Sequence, residues 1–277
     1  MQLPQMKIGV FGGSGFYSLL KDAKSYAVHT PYGVPSDRFT VGELNGVEVA
    51  FLPRHGRHHQ YPPHRINYRA NLWGMRELGV ERIISPGACG SLQREILPGT
   101  FVLCDQFVDR TGRQGCSTFY DGPAAVHINC EEPYCPQLRE LCTETASKLD
   151  IPCHNGGTAV IINGPRFSTR AESKWYHSLG WDVINMTQYP EVVLARELGM
   201  CYLNISLVTD WDVWIADEEG IKSVTAEEVG RVFKENNERL TLLLKEMMPA
   251  LSGERTCSCS SMLEEATISP LEIQDHF

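Results

Sequence analysis

The 277-residue sequence lacks any apolar run approaching the ~18 residues of a membrane-spanning helix. Its first residues, MQLPQMKIGVFGG, lack the basic region, apolar stretch and cleavage site of a secretory signal. Positive charge is also scarce, since 25 Lys and Arg face 34 Asp and Glu for a net charge of −9. These absences argue against a nucleic acid or a membrane as partner and predict a cytoplasmic protein.

A second cysteine pair at metal-ligand spacing is also missing. Cys257-Ser-Cys259 supplies half a zinc site at most, so we expect no metal site. These two thiols could form a local redox pair or a disulfide. The simpler interpretation is a tail in which they have no special role. The other cysteines are scattered through apolar and mixed segments, as is typical of small buried side chains in a reducing compartment. Examples are Cys89, Cys104, Cys142 and Cys201.

The hydrophobic residues, 42% of the chain, alternate between strand-like runs and amphipathic helical segments, which predicts an α/β fold. Length alone leaves one large domain or two small ones open, and no internal repeat is visible. Composition shifts at about residue 251, so we expect a main domain over residues 1–250 and a tail over 251–277. Strands are predicted over 7–11, 39–42, 47–52, 82–85, 101–104 and 201–208, and helices over 64–78, 137–149, 226–248 and 262–266.

The stretch 163–214 reads as strand, turn, helix, strand, turn, helix, strand. Its last strand is a nearly continuous apolar run that ends in Thr209-Asp210-Trp211-Asp212. Carboxylates at the carboxyl end of a buried strand lie where open α/β sheets bind ligands. Two carboxylates alone would also fit a solvated acidic loop. The surrounding motifs favour the ligand site.

Two further segments predict anion binding. The first is Gly12-Gly13-Ser14-Gly15, a strand-to-loop turn whose backbone N–H groups and Ser14 hydroxyl suit a phosphate, although a plain tight turn fits equally well. Its match to a dinucleotide fingerprint is poor. The second is the loop from Arg54 to His59, in which Arg54 offers a planar fork of donors and His55 another donor. A solvated basic loop and a double-histidine metal site are the alternatives. Residues 86–91, PGACGS, predict another turn that brings backbone close to a ligand.

Six motifs together resemble the 5′-methylthioadenosine phosphorylases, within the trimeric purine nucleoside phosphorylases, over about residues 7–248. They are GVFGGSGF, LPRHGRHHQYPPHRINYRANLW, GACGSL, NGPRFSTRAES, INMTQYPEVVLARELG and SLVTDWDVW. The resemblance implies a single three-layer domain with a central mixed β-sheet flanked by helices, assembled as a homotrimer. It also implies that inorganic phosphate is a co-substrate and that no cofactor is needed.

The resemblance assigns roles to residues of this chain. Phosphate-site positions are matched by Ser14, Arg54, His55, Gly87, Ala88 and Thr187. Base and ribose positions are matched by Phe167 and Met186, and the purine-recognition carboxylates by Asp210 and Asp212. Specificity positions are matched by Ser168 for the base, by Ala226 and Val229 near the 5′-methylthio group, and by His127, which a neighbouring subunit lends to the 5′ pocket.

The implied reaction is phosphorolysis of 5′-methylthioadenosine to adenine and 5-methylthioribose 1-phosphate, a glycosyl transfer. Bound phosphate is the nucleophile and stabilises the cationic sugar. Asp210, with a raised pKa, protonates the purine as it leaves, while Asp212 accepts from a 6-amino group. In the resemblance, Asp210 and Ser168 are adenine-type choices, since enzymes for 6-oxopurines have Asn and Glu there.

Other functions remain possible interpretations of the sequence. A phosphorylase of the same fold could prefer adenosine, inosine or methylthioinosine, because Ala226 is small and leaves room at the 5′ end. A nicotinamide-dependent reductase, a silent nucleotide-binding subunit and a hydrolase explain fewer of the motifs. Three departures from the resemblance stand out: Gly87 replaces a hydroxyl residue and Asn163 a common Glu, and the Cys257/Cys259 tail is similar to tails of some heat-stable archaeal members, where paired thiols are tied to stability.

Overall fold

Eleven strands form one mixed sheet in the computed structural model, which describes residues 3–12, 19–113, 115–122, 126–215 and 226–266. The strands are β1 Ile8–Gly12, β2 Lys21–Tyr26, β3 Phe39–Leu44, β4 Val47–Pro53, β5 Arg82–Ser91, β6 Phe101–Leu103, β7 Gln106–Arg110, β8 Cys153–Asn155, β9 Thr158–Ile162, β10 Val183–Asn185 and β11 Cys201–Asp210. The helices are α1 Tyr68–Glu77, α2 Pro136–Lys148, α3 Arg170–Ser178, α4 Gln188–Glu197, α5 Ala226–Leu251 and α6 Met262–Ala266.

Strand β5 lies at the centre of the sheet and has three partners. It runs parallel to β1 and to β11, and its last residues pair antiparallel with β10. Strand β4 is parallel to β1 on the far side. The carboxyl ends of β4, β1, β5 and β11 therefore lie along one edge of the sheet, which is where α/β folds bind ligands.

Successive residues of β11 enter the apolar clusters on opposite faces of the sheet. Tyr202 belongs to a cluster that contains Leu72 of α1 and Val192 of α4. Leu203 belongs to a second cluster, which contains Leu138 of α2 and Leu243 of α5. This alternation is the two-residue period of a strand covered on both faces. The predicted fold class, a three-layer arrangement of helices around a mixed sheet, is confirmed.

Most predicted elements are present, and their bounds differ for local reasons. Helix α1 begins at Tyr68, four residues later than predicted, because the Asn67 side chain caps it by accepting from the Ala70 N–H at 3.2 Å. The preceding residues Pro63–Arg65 form a separate 3-10 turn. A hairpin turn at Asn45-Gly46 joins β3 to β4, with positive φ of 49° and 83°.

The turn predicted for residues 86–91 is wrong, because β5 continues through it to Ser91. Strand β11 pairs with β5 as far as Gly90, and β10 pairs with Gly90 and Ser91. Pairing with these two strands keeps the segment extended, although its proline and glycine residues suggest that the strand would end. Strand β11 likewise runs to Asp210 rather than to Val208.

The tail turns back onto the body of the protein. Helix α6 has the predicted bounds, and Cys259 in the 3-10 turn before it is only 4% exposed, within the cluster formed with α2 and α5. Over the described parts of the chain, no helix combines the length and the apolar character needed to cross a membrane.

Candidate active site

Arg54 follows β4 directly and lies in a buried polar network. Its Nε and Nη2 atoms donate to the two carboxylate oxygens of Glu191 at 2.7 and 3.1 Å, and Nη2 also donates to Ser85 Oγ. Nη1 donates to the Pro86 carbonyl at 3.2 Å. A guanidinium has five N–H donors, so these four hydrogen bonds with described residues leave one Nη1 N–H for a ligand. The planar fork is therefore engaged by Glu191, and Arg54 offers an anion one donor and its positive charge.

Arg54 keeps its positive charge although its side chain is buried. Burial alone would lower its pKa, but the Glu191 carboxylate more than reverses this and holds the pKa above its usual range. Glu191 also accepts hydrogen bonds from Tyr202 Oη at 2.8 Å and from Ser85 Oγ. A buried ion pair is stable when further hydrogen bonds satisfy its oxygens, so this network fixes the position of the arginine.

His55 is neutral, and the orientation of its ring decides which ring nitrogen donates a hydrogen bond and which accepts one. Burial and the neighbouring Arg54 charge lower the pKa of His55 to about 4. Nδ1 lies 2.8 Å from the Tyr61 carbonyl oxygen, which can only accept, so the ring hydrogen is on Nδ1. Nε2 is then an acceptor. His55 can receive an O–H of a protonated phosphate, whereas the sequence suggested that it would donate.

Gly87 and Thr187 meet beside this network. A Cβ placed on Gly87 would lie 3.5 Å from Asn185 Nδ2 and 3.9 Å from Thr187 Oγ1, and no other described residue comes nearer. Asn185 donates to the Ala88 carbonyl at 3.0 Å and accepts from the Thr187 N–H at 2.7 Å. Ala88 is exposed although the first half of β5 is buried. The predicted phosphate positions Arg54, Gly87, Ala88 and Thr187 are thus brought together around the middle of β5.

Asp210 is the last residue of β11, the strand beside β5, and Asp212 follows two residues later. A β-bulge between Val208 and Asp210 shifts the register, so that Asp210 pairs with Gly90. The Asp212 backbone N–H donates to Asp210 Oδ1 at 2.8 Å, and Thr209 Oγ1 donates to Asp210 Oδ2 at 2.7 Å. The bulge and these two bonds orient the Asp210 carboxylate at the carboxyl end of β11.

Both carboxylates are shielded from water. Burial raises the pKa of Asp210 against the opposing effects of the Thr209 and Asp212 hydrogen bonds. Burial also raises the pKa of Asp212, which accepts from Ser173 Oγ at 2.5 Å. Ser168 Oγ is buried without a well-formed hydrogen bond to any described residue, yet it is close enough to the Asp212 carboxylate to oppose that rise. A carboxyl group with a raised pKa is suited to proton donation near neutral pH.

The remaining predicted site residues lie on other segments of the chain. Phe167 is 78% exposed in the loop between β9 and α3, and Met186 is half-buried after β10, with its carbonyl accepting from Arg113 at 3.1 Å. His127 is exposed, and its backbone N–H donates to the Ala266 carbonyl. Ala226 and Val229 fall in the first turns of α5. Ser14 lies outside the described residues.

Sequence reasoning missed four residues that hold the site in place: Ser85, Ser173, Asn185 and Glu191. One signal was available for Glu191, because a carboxylate in the otherwise apolar segment PEVVLA needs a buried partner. Serine and asparagine carry no comparable signal, since they are common in turns and on surfaces.

Comparison with known proteins shows the family of the chain. A family model described as the phosphorylase superfamily matches residues 7–249. The chain belongs to the phosphorylase superfamily. A superfamily member from Thermofilum pendens, named S-methyl-5′-thioadenosine phosphorylase, is 51% identical over 269 residues, which cover 96% of this chain and all of that protein. A Streptomyces coelicolor member, named purine nucleoside phosphorylase, is 49% identical over 267 residues and covers 93% of this chain and 94% of its own length.

A solved structure from the superfamily has the same fold. The crystal structure of a methylthioadenosine phosphorylase from an antarctic soil metagenomic library superposes with a TM-score of 0.90 at 38% sequence identity. The match covers 97% of this chain and 94% of the other. The likeness therefore extends over the sheet, both helical layers and the edge at which the candidate site lies.

Proposed function

We propose that this protein cleaves 5′-methylthioadenosine with inorganic phosphate, giving adenine and 5-methylthioribose 1-phosphate. The observation that carries the proposal is the arrangement along β5. Pro86 and Gly87 adjoin Arg54 and Thr187 at one point, and Gly90 adjoins Asp210 and Asp212 at another. Four residues of strand separate Pro86 from Gly90, about 13 Å. That spacing leaves room for a ribose between an anion and a purine.

Phosphate has three partners of different chemistry in this arrangement. Arg54 supplies positive charge and one N–H, Thr187 a hydroxyl, and the Nε2 atom of neutral His55 accepts the phosphate O–H. An anion held there can attack the anomeric carbon while its charge stabilises the cationic sugar that develops in the transition state. The reaction then needs neither a covalent enzyme intermediate nor a cofactor.

Asp210 acts as the general acid toward purine N7. Because Oδ1 accepts from the Asp212 backbone N–H, the proton of the neutral acid resides on Oδ2. The Thr209 hydroxyl beside Oδ2 also lies 3.2 Å from the Cys89 carbonyl, so it can donate there and leave Oδ2–H free for the substrate. Protonation of N7 lets the purine leave as a neutral molecule. Asp212 accepts from the 6-amino group, which selects adenine over hypoxanthine.

A second candidate is a phosphorylase that prefers adenosine or inosine. The likeness to the Streptomyces coelicolor purine nucleoside phosphorylase favours it, at an identity close to that of the Thermofilum pendens relative. The 5′ end of the site decides between them, through Ala226 and Val229 on α5. We also propose a homotrimer in which His127 of a neighbouring subunit closes the 5′ pocket.

The test is adenine release from methylthioadenosine with and without phosphate, with the sugar product identified by mass spectrometry. The proposal predicts release only with phosphate and a phosphorylated methylthioribose as product. Release without phosphate would indicate a hydrolase and contradict it. Parallel assays with adenosine and inosine separate the two candidates, because the proposal predicts the highest kcat/KM for methylthioadenosine and the lowest for inosine.

A further inference from the structure

Four cysteines from three distant segments converge in the interior, away from the candidate active site. Cys135 precedes α2, Cys201 begins β11, and Cys257 and Cys259 flank the 3-10 turn of the tail. Their sulfur atoms all lie within 4.8 Å of one another, and Cys201 Sγ and Cys257 Sγ are 3.4 Å apart. Among the described residues, this group alone clusters three or more ligand side chains in a way that could hold a metal ion. The second thiol pair, invisible in the sequence spacing, is supplied by the fold.

We propose that these four thiols bind one zinc ion as a structural site. Tetrahedral zinc with Zn–S bonds of about 2.3 Å requires sulfur–sulfur separations of about 3.8 Å. The observed separations are all at most 4.8 Å, with 3.4 Å between Cys201 Sγ and Cys257 Sγ, which is compatible with that value. Four thiolates in a tetrahedral set favour zinc over harder ions such as magnesium or calcium. With all four positions taken by protein, the ion has no open site for catalysis.

The backbone around the thiols is fixed before any ion binds. The Cys135 N–H donates to the Tyr202 carbonyl at 2.9 Å, which places the start of α2 beside the start of β11. The Cys201 N–H donates to the Glu81 carbonyl at 2.9 Å. Cys135, Cys201 and Cys259 are buried, and Cys257 is half-buried. A closed set of ligands on rigid elements is typical of structural zinc sites.

Charge around the cluster is favourable to thiolates. Binding converts four thiols to four thiolates and releases four protons to solvent without any transfer of electrons, which leaves the site with a net charge of −2. Cys135 is the N-cap of the 13-residue helix α2, whose N-terminus is electropositive. Arg82, the cross-strand neighbour of Cys201, is 2% exposed and donates to the Gly253 carbonyl in the segment that leads to Cys257.

The site would fasten the tail to the body of the protein rather than take part in the reaction. Cys201 and Asp210 are the first and last residues of β11, nine residues apart, or about 30 Å along the strand. An ion at Cys201 therefore cannot contact substrate. It would link the tail to α2 and to the sheet, and its binding free energy would add to the free energy of folding.

The first measurement is the metal content of protein purified under reducing conditions after growth with zinc. We expect about one zinc per chain by mass spectrometry of the native protein, and an intense thiolate-to-metal absorption band after replacement by cobalt. Cys257→Ser should lose most of the zinc and lower Tm, and Cys135→Ser should do the same. Cys142→Ser, a fully buried cysteine of α2 outside the cluster, serves as the control and should keep the metal.

Disulfides are the competing outcome for the same four thiols. Two disulfides would require an oxidant to remove two electrons each, and they would lower the intact mass of the denatured, unreduced chain by about four hydrogens. That result in freshly isolated protein, or less than about one zinc per ten chains after zinc is supplied to the reduced protein, would overturn the proposal. Unchanged zinc content in Cys257→Ser and Cys135→Ser would also overturn it, whatever their stability.

Discussion

Asp210 lies across the sheet from Gly90, and its Oδ1 atom is 3.2 Å from where a Cβ on that glycine would be. The Asp212 Cβ and the Ile184 Cγ2 would each lie 3.1 Å from the same point. Separations this short require the neighbours to move by a few tenths of an ångström. Because Gly90 has no side chain, both carboxylates can approach β5.

Gly90→Ala should accordingly impair catalysis more than folding. The added methyl group displaces Asp210 and Asp212 from the position in which they meet the purine, and small misplacements of reacting groups are costly. We expect kcat/KM for methylthioadenosine to fall by about 10-fold or more, measured by adenine release. Gly87→Ala is the matched control, because residue 87 is three residues away and no described neighbour would lie nearer than 3.5 Å to the added methyl group. Equal activity of the two variants would argue against this role of Gly90.

Asp210→Asn should make the protein more stable at neutral pH than wild type. Burial raises the pKa of Asp210 in the folded state, so folding disfavours the ionised form. That unfavourable contribution is absent below the unfolded-state pKa of about 3.9 and grows as pH rises through the folded-state value. Asparagine can keep both contacts, because Thr209 can donate to the Cys89 carbonyl and accept from the new amide.

Thermal unfolding of wild type and Asp210→Asn across pH 3.5 to 8 checks this sign. The variant should gain Tm relative to wild type as pH rises, by an amount equivalent to about 1.4 kcal/mol per unit of pKa shift. A difference that stays constant over the range, or one that grows toward acid pH, would refute the raised pKa.

His55→Asn should weaken phosphate binding with little loss of stability. The asparagine amide can donate to the Tyr61 carbonyl in place of Nδ1, but it removes the Nε2 acceptor. A hydrogen bond to a charged group contributes about 1.5–3 kcal/mol, so we expect KM for phosphate to rise by about 10-fold or more. His55→Gln, which keeps a polar group near Nε2, should lose less.

The pH dependence of His55 provides a separate check by NMR. Its ring should titrate near pH 4 in the free protein, because burial and Arg54 lower the pKa of His55. A ring that titrates at its ordinary value would mean that His55 is a cation near pH 6 and donates to phosphate.

Gly87→Thr should tighten phosphate binding. A Cβ at this position makes only ordinary contacts with Asn185 and Thr187, and a hydroxyl there would add a donor beside the Arg54 network. We expect KM for phosphate to fall several-fold, in keeping with one hydrogen bond to an anion. Gly87→Ala supplies the methyl group without the hydroxyl and should leave KM near that of wild type. A higher KM in the threonine variant would place the phosphate elsewhere.

Local patterns predicted the parts of the site that lie within one segment. The apolar run of β11 followed by Asp210 and Asp212, and the strand that leads into Arg54 and His55, were both identified from the sequence and are present. Their adjacency follows from parallel strands, whose carboxyl ends share one edge. Site position was therefore predictable once the fold class was known.

Contacts between distant segments were not predictable. Glu191 engages the donor fork of Arg54 across 137 residues, and nothing in the loop after β4 indicates that its arginine is already paired. Residues 86–91 read as a turn because glycine and proline usually mark one, whereas here glycine permits close approach within a strand. The cysteine cluster was not predictable either, because only folding brings its four members together.

In the proposed reaction, Asp210 protonates the departing purine while bound phosphate attacks the sugar. The most direct measurement compares wild type and Asp210→Asn on methylthioadenosine and on its 2-fluoro analogue, whose base is less basic and needs less protonation. Loss of a general acid costs about 10²–10⁴-fold, so the variant should lose that much on methylthioadenosine and far less on the analogue. Equal losses on both substrates, or no loss on either, would show that Asp210 is not the general acid.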